Sequence, residues 1–224
     1  IKDFISAYND LLEKVNAKLS EKRYAGYPPL TDEQKKEMSD KEVELWEEKA
    51  RSGLLKADRV LEGLVYRMRT SMAAVVPGLT GSHDNLAALG INTANYYEGG
   101  KLHLDENKLR QALENDISGV MDLFTRAADD YGRKGLAQRL YDDVHLAIEQ
   151  ISQRAGTEAI SSLADMSYLG RRLRGLDDQI IRGEDRLLKL EDRYWRQFTA
   201  LEQAISRMNS QSAWLAQMFY QGQG

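Results

Sequence analysis

Cysteine is absent from all 224 residues. Two readings of that absence stay open: chance composition, or a protein exported to a place where stray thiol chemistry is harmful. No apolar run approaches the roughly 20 residues that a membrane-spanning helix needs, and no signal-peptide pattern is visible. Charge of one sign is not in excess either. The 31 Lys and Arg against 35 Asp and Glu give a net charge of -4, and the two signs are interleaved. Without a basic arm, neither nucleic acid nor a membrane is an expected partner. The 29% charged residues and a mean hydropathy of -0.56 suit an elongated helical protein with a thin core. The chain opens Ile1-Lys2-Asp3-Phe4 in the middle of a helical pattern, so it is expected to be a fragment of a longer protein, with one or two domains present.

Chemistry is equally scarce. The three histidines, His83, His103 and His145, lie far apart, and none has a second histidine four residues on, as a zinc helix requires. His83 falls in a polar loop, His103 on the outward side of a strand, and His145 beside an apolar stripe; all three read as surface or flanking side chains. A nucleophile needs a base and an orienting group, yet there is neither Cys nor a G-x-S-x-G elbow. The acidic pairs Asp129-Asp130, Asp142-Asp143 and Asp177-Asp178 point about 100° apart on a helix and read as solvated faces. Gly78, Gly81 and Gly90 fit no phosphate-binding loop. No catalytic residue, cofactor site or metal site is expected.

What is present is helical periodicity. Phe4, Ile5, Tyr8, Leu11, Leu12, Val15 and Leu19 recur at three- and four-residue spacings, predicting an amphipathic helix to about residue 22. Tyr27-Pro28-Pro29 stops it. Thr31 with Gln34, and Ser39 with Glu42, form two capping boxes, each announcing a short charged helix before about Arg51. Trp46 is expected to pin this charged layer onto the next helix. That helix is predicted to carry Leu54, Leu61, Val65, Met68 and Met72 on one face, with Leu55, Ala57 and Leu64 beside it, and to end before Pro77-Gly78. Residues 78–90 read as a loop.

The one β signal is N-Y-Y-E-G-G-K-L-H-L-D. Gly99-Gly100 suits a two-residue turn, predicting a hairpin near 95–104. Asp105 is a good N-cap for a helix bearing Leu109 and Leu113. A short helix with Ile117, Val120, Met121 and Phe124 follows. After a turn between Gly132 and Gly135 comes a helix with Leu136, Leu140, Val144, Ala147, Ile148 and Ile151. Residues 156–167 read as a joint.

From about Leu169 to Phe219 the apolar residues fall on a heptad beat: Leu169, Leu173, Leu176, Ile180, Gly183, Leu187, Leu190 and Tyr194. Only Gly183 breaks it. Past Tyr194 an extra step of four, a stutter that locally unwinds a supercoil, leads to Phe198, Leu201, Ile205, Met208, Ser212, Leu215 and Phe219. A helix on the order of 75 Å long cannot bury this stripe against a small body and needs a partner. The candidate assembly residues are Leu187, Leu190, Tyr194, Phe198, Leu201, Ile205, Met208, Trp214 and Leu215. Trp195 is expected to pack within the chain, and Trp214, near the terminus, to serve an inter-subunit contact. Gln211 and Ser212, polar at the stripe, would help to set register. The fold class is mainly α: an elongated helical bundle with a small β-hairpin and a long C-terminal coiled-coil helix. The division is a helical body over 1–155 and a coiled-coil stalk over 156–224.

Five stretches in this order resemble the flagellar filament-capping (hook-associated protein 2) family: F-I-S-A-Y-N-D-L-L; P-P-L-T-D-E-Q-K; V-E-L-W-E-E-K-A-R-S-G-L-L-K-A-D; L-G-I-N-T-A-N-Y-Y-E-G-G-K-L-H-L-D-E-N-K-L-R-Q-A-L; and R-Y-W-R-Q-F-T-A-L-E-Q-A-I-S-R-M-N-S-Q-S-A-W-L. The resemblance covers nearly the whole chain. It implies the C-terminal half of a protein whose terminal segments pair in a helical stalk and whose sheet-rich domains lie between them. It also implies a non-enzymatic protein exported by the flagellar type III system and acting outside the cell, at the filament tip. Several copies would form a ring-like homo-oligomer beneath which flagellin folds, with hook-associated junction proteins and an export chaperone as further partners. Cell adhesion is a property of some caps, but nothing in this chain indicates a ligand for it. Two alternatives are another axial flagellar component, such as a hook–filament junction protein, and an unrelated coiled-coil adaptor.

Overall fold

In α1, Lys2–Ser20, the side chains Ile5, Tyr8, Leu12 and Val15 fall on one face at the three- and four-residue spacing of a helix, and all four are buried. The computed structural model that shows this describes residues 1–79, 83–93, 98–157 and 165–221. It divides into two units, Ile1–Ser152 and Gln153–Gly224. Among the described residues the fold is mainly α, with eight helices and one two-stranded antiparallel sheet.

The first unit is built around α1 and α4, Arg59–Ala73, whose Leu64, Met68 and Met72 meet the buried face of α1. Strand β2, Leu102–Leu104, also lies on α1 and pairs with β1, Ile91–Thr93. The side chain of Asn9 imitates a neighbouring strand: its Nδ2 donates to Leu102 O (2.9 Å), and its Oδ1 accepts from Leu102 N (2.8 Å). One amide thus satisfies both backbone groups of an edge residue. Tyr8 is fully buried, and that burial pushes its hydroxyl up to about 12. Helices α5, Glu106–Asn115, and α6, Ile117–Thr125, close the core with Leu109, Val120, Leu123 and Phe124.

Both capping boxes form, at the starts of α2, Asp32–Lys36, and α3, Asp40–Arg51. Asp105 caps α5 by accepting from Asn107 N and Lys108 N. Elsewhere the structure corrects the sequence. Trp46 does not pin α3 to α4. Its Nε1 donates to Pro28 O (2.7 Å), and its ring meets Tyr27 edge-on at 4.7 Å, so it holds the proline segment down on α3. Helix α4 starts only at Arg59, capped by Asp58, and Leu54 and Leu55 are exposed in the turn before it. The reason is backbone geometry: Gly53 (φ 67°) and Ala57 (φ 54°) both take left-handed conformations that no helix continues. A Cβ on Gly53 would stand 2.7 Å from Arg23 N and 2.8 Å from Arg23 Cα. Gly53→Ala is therefore expected to lose about 1–3 kcal/mol, measured as a lower urea midpoint for the first unit; an unchanged midpoint would show that this turn adapts freely.

The hairpin register also differs. Leu102 pairs with Thr93 and Leu104 with Ile91, so Gly99-Gly100 lies within a longer connection and is not a two-residue turn. Residues 95–97, expected to form its first strand, lie outside the described residues. So do residues 158–164 of the expected joint.

Helix α7, Leu136–Ala155, buries Leu136, Arg139, Asp143 and Ala147, while Ile148 and Ile151 are exposed. The buried row is displaced from the apolar one because two charged residues are fully partnered inside. Asp143 is 3% exposed and not, as its sequence context suggests, part of a solvated face. Its Oδ2 accepts from Ser71 Oγ (2.8 Å) and Tyr131 OH (2.9 Å), and its Oδ1 lies 3.6 Å from Arg67 Nε. Arg139 donates to Lys134 O (2.9 Å), Gly132 O and Val75 O. Burial raises the Tyr131 hydroxyl above its ordinary value. The neighbouring Asp142 is half-buried and pairs with Lys134 (2.6 Å). On α6, Ile117 and Met121 face solvent, and Val120, Leu123 and Phe124 form the buried row.

Candidate assembly interface

The second unit is dominated by α8, Tyr168–Gln221, one continuous helix of 54 residues. At about 1.5 Å per residue it runs for about 80 Å. Its start is fixed by local chemistry. Ser167 Oγ accepts from Gly170 N (3.0 Å), capping the first turn, and Ser167 in turn donates through N and Oγ to the Asp165 carboxylate (2.8 and 3.0 Å). Those bonds hold the Asp165 carboxyl below its usual range.

The stripe expected from the heptad beat lies along this helix with almost nothing over it. Leu187 is 65% exposed, Tyr194 53% and Phe198 71%. Leu201, Ile205, Met208, Trp214 and Leu215 are exposed as well, and Leu190 is half-buried. Leu187, Leu190, Glu191, Tyr194, Trp195 and Phe198 line an open groove along one side. Trp195 is 66% exposed, so the intramolecular packing expected of it does not occur in this chain. Gln211 and Ser212 are exposed too, and the side chain of Phe219 lies outside the described residues. The opposite side of the helix carries ion pairs between successive turns: Lys189 with Asp185 (2.5 Å), and Arg196 with Asp192. Arg193 lies over the Tyr194 ring at 5.6 Å.

The helix offers apolar area to a partner, at about 1.5–3 kcal/mol for each large side chain that becomes fully buried. Among the described residues no group of three or more His, Asp or Glu side chains could hold a metal ion, and no helix is long and apolar enough to cross a membrane. The histidines are dispersed. His103 meets Glu98 at the surface, and His145 pairs with Glu149 (3.3 Å) and stacks on Tyr141. His83, expected at the surface, is half-buried, with its Nδ1 enclosed.

Comparison with known proteins gives the family. A family model described as the C-terminus of flagellar hook-associated protein 2 matches residues 1–210. The flagellar hook-associated protein 2 of Halalkalibacterium halodurans is 35% identical, over 98% of this chain and 44% of its own length. That of Thermotoga maritima is 31% identical, over 97% of this chain and 32% of its own length. The chain thus spans less than half the length of either relative. A crystal structure of domains D1–D2–D3 of the flagellar cap protein from Escherichia coli aligns with a TM-score of 0.42 at 25% identity, over 65% of this chain and 30% of that one.

Proposed function

The chain belongs to the flagellar hook-associated protein 2 family, and we propose that it is the C-terminal part of a non-enzymatic cap at the distal end of the bacterial flagellar filament. There it promotes flagellin polymerisation. In this reading the protein works outside the cell after type III export. It assembles with copies of itself into a ring, contacts flagellin, and meets junction proteins and an export chaperone on the way. The first unit is the body of each subunit and α8 its leg.

The observation that carries this reading is the bare stripe of α8. A helix that leaves Leu187, Tyr194, Phe198, Leu201 and Met208 in solvent is poorly stable alone and becomes ordered when a neighbour covers it. A cap that must shift as each new subunit arrives needs such contact-dependent order, because ordering on contact lowers net affinity.

The test is a strain deleted for the gene encoding this chain, complemented with the epitope-tagged protein. Deletion should leave unpolymerised flagellin in the medium, and complementation should restore filaments with gold label at their distal tips. Label at the hook–filament junction would replace the cap reading with the junction reading. Filaments of normal length in the deletion strain would remove both.

A further inference from the structure

The first unit has an open groove of its own. The end of α4 and strand β1 border about 590 Å³, lined among others by Tyr8, Tyr66, Arg69, Met72, Thr93 and Gly100, with no acidic side chain in its walls. That volume falls within the range of ligand sites, about 300–1,000 Å³. Arg69 is the one charged side chain of the lining. The residues three and four positions from it on α4 are Val65, Tyr66, Met72 and Ala73, so no neighbour on its own helix pairs with it. It makes no ion pair or hydrogen bond among the described residues, whereas Lys101 is taken by Glu13 (2.6 Å). The free guanidinium is nevertheless held in place. Its stem lies across Gly100 (φ 101°), where a Cβ would stand 2.7 Å from Arg69 Nε and 3.0 Å from Cγ and Cδ.

The opposite wall is an open strand edge. Leu102 gives both of its backbone groups to the Asn9 side chain, which closes the outer edge of β2. Opposite residues of an antiparallel pair exchange both hydrogen bonds or neither. Thr93, opposite Leu102, therefore turns its N–H and C=O away from β2, and neither group has a partner among the described residues. An unpaired edge of this kind is a template for another extended chain. The carbonyls that end α4 at Met72 and Ala73 have no donor in their own helix.

We propose that this groove receives an extended peptide segment of another protein, which adds to the edge of β1 at Thr93 and sets a side-chain carboxylate on Arg69. Each part of the groove matches a group that such a segment must place. Thr93 offers its backbone one donor and one acceptor, and the α4 carbonyls accept further N–H groups. The Tyr66 ring, 72% exposed, and Met72 give apolar cover to the flanking side chains. A guanidinium holds a carboxylate through two parallel N–H donors. No anion in the lining competes for Arg69, and a basic segment would meet only like charge there, so the recognition is of an acidic chain. The site lies outside α8 and would stand if the cap reading fell.

The test titrates the full-length product of the gene into a hexapeptide, Thr-Thr-Val-Glu-Val-Thr, blocked at both ends and labelled with an uncharged dye, with fluorescence polarisation as the readout. Saturable binding is expected, about tenfold tighter than for a twin with Gln in place of Glu, the effect of one charge-assisted pair at a partly open site. Arg69→Gln should remove that preference, and Arg69→Glu should transfer it to a twin carrying Lys. Neither change should move the urea midpoint, because Arg69 is exposed and unpaired. Thr93→Pro, which takes away an outward N–H and no ladder bond, should weaken the Glu and Gln peptides alike. Equal binding of those two peptides, or a preference that survives Arg69→Gln, overturns the proposal. So does a Thr93→Pro variant that binds as before, since the peptide then lies elsewhere. Full-length protein that binds none of the peptides overturns it as well, because the groove is then closed to other chains.

Discussion

Asp143→Ala is expected to destabilise the first unit by about 3–5 kcal/mol, the range for removing one partner from a buried charge network. The carboxylate accepts from both the Ser71 and Tyr131 hydroxyls and is the anion nearest to the Arg67 guanidinium. Arg67 has little else: its Nε and Nη2 are buried without a hydrogen-bond partner. Deleting the carboxylate leaves the half-buried Arg67 cation uncompensated and the buried Ser71 hydroxyl without its acceptor, and both losses are costly. Tyr131→Phe removes one donor only and should cost about 1 kcal/mol. The measurement is urea unfolding, with hydrogen exchange reporting on α1 and α4. A loss for Asp143→Ala no larger than that for Tyr131→Phe would mean that water replaces the carboxylate, and the network would not be the clasp between α4 and α7 that its geometry indicates.

That network shows why part of the fold escaped the sequence. The capping boxes at Thr31 and Ser39 and the Asp105 cap are decided within four residues, so they can be read directly. The stripe of α8 is legible for the opposite reason: seven-residue periodicity sustained over many turns leaves no other regular structure that fits. The burial of Asp143 depends on Ser71, 72 positions earlier, and on Arg67 beside it, so nothing local marks it. Two charged residues of α7, Arg139 and Asp143, each partnered inside by other segments, displace the apolar row, and Ile148 and Ile151 are left outside although their spacing was right. The hairpin forms, but its turn and first strand were misplaced for a related reason. Gly99-Gly100 carries a genuine turn signal, both residues having positive φ, but pairing is set by where Ile91 can be buried, and that pulls the first strand back to Ile91–Thr93. At the candidate interface the helix and its apolar stripe were legible. The side chains whose exposure was misjudged, Trp195 above all, are those for which an apolar residue was assumed to find cover in its own chain.

The stripe of α8 can be separated from the stability of the body. Changing Leu187, Tyr194 and Phe198 together to Ser should abolish filament assembly while leaving the urea midpoint of the first unit unchanged. All three side chains are more than half exposed in the chain alone, so removing them takes away few contacts there. In an assembly that covers them, each is worth about 1.5–3 kcal/mol. Three together amount to about three orders of magnitude or more in a binding constant, and that is beyond what a structure which must repeatedly release and re-form can lose. The expected result is loss of motility with flagellin free in the medium. Glu202→Ser, a surface change outside the stripe, should leave filaments intact. Hydrogen exchange gives the physical cause: α8 amides should exchange quickly in the dispersed protein and slowly once it is assembled, and the triple variant should never gain the slow state. If α8 is already protected in the dispersed wild-type chain, the helix does not depend on contact for its order, and the bare stripe would have to be explained by something other than assembly.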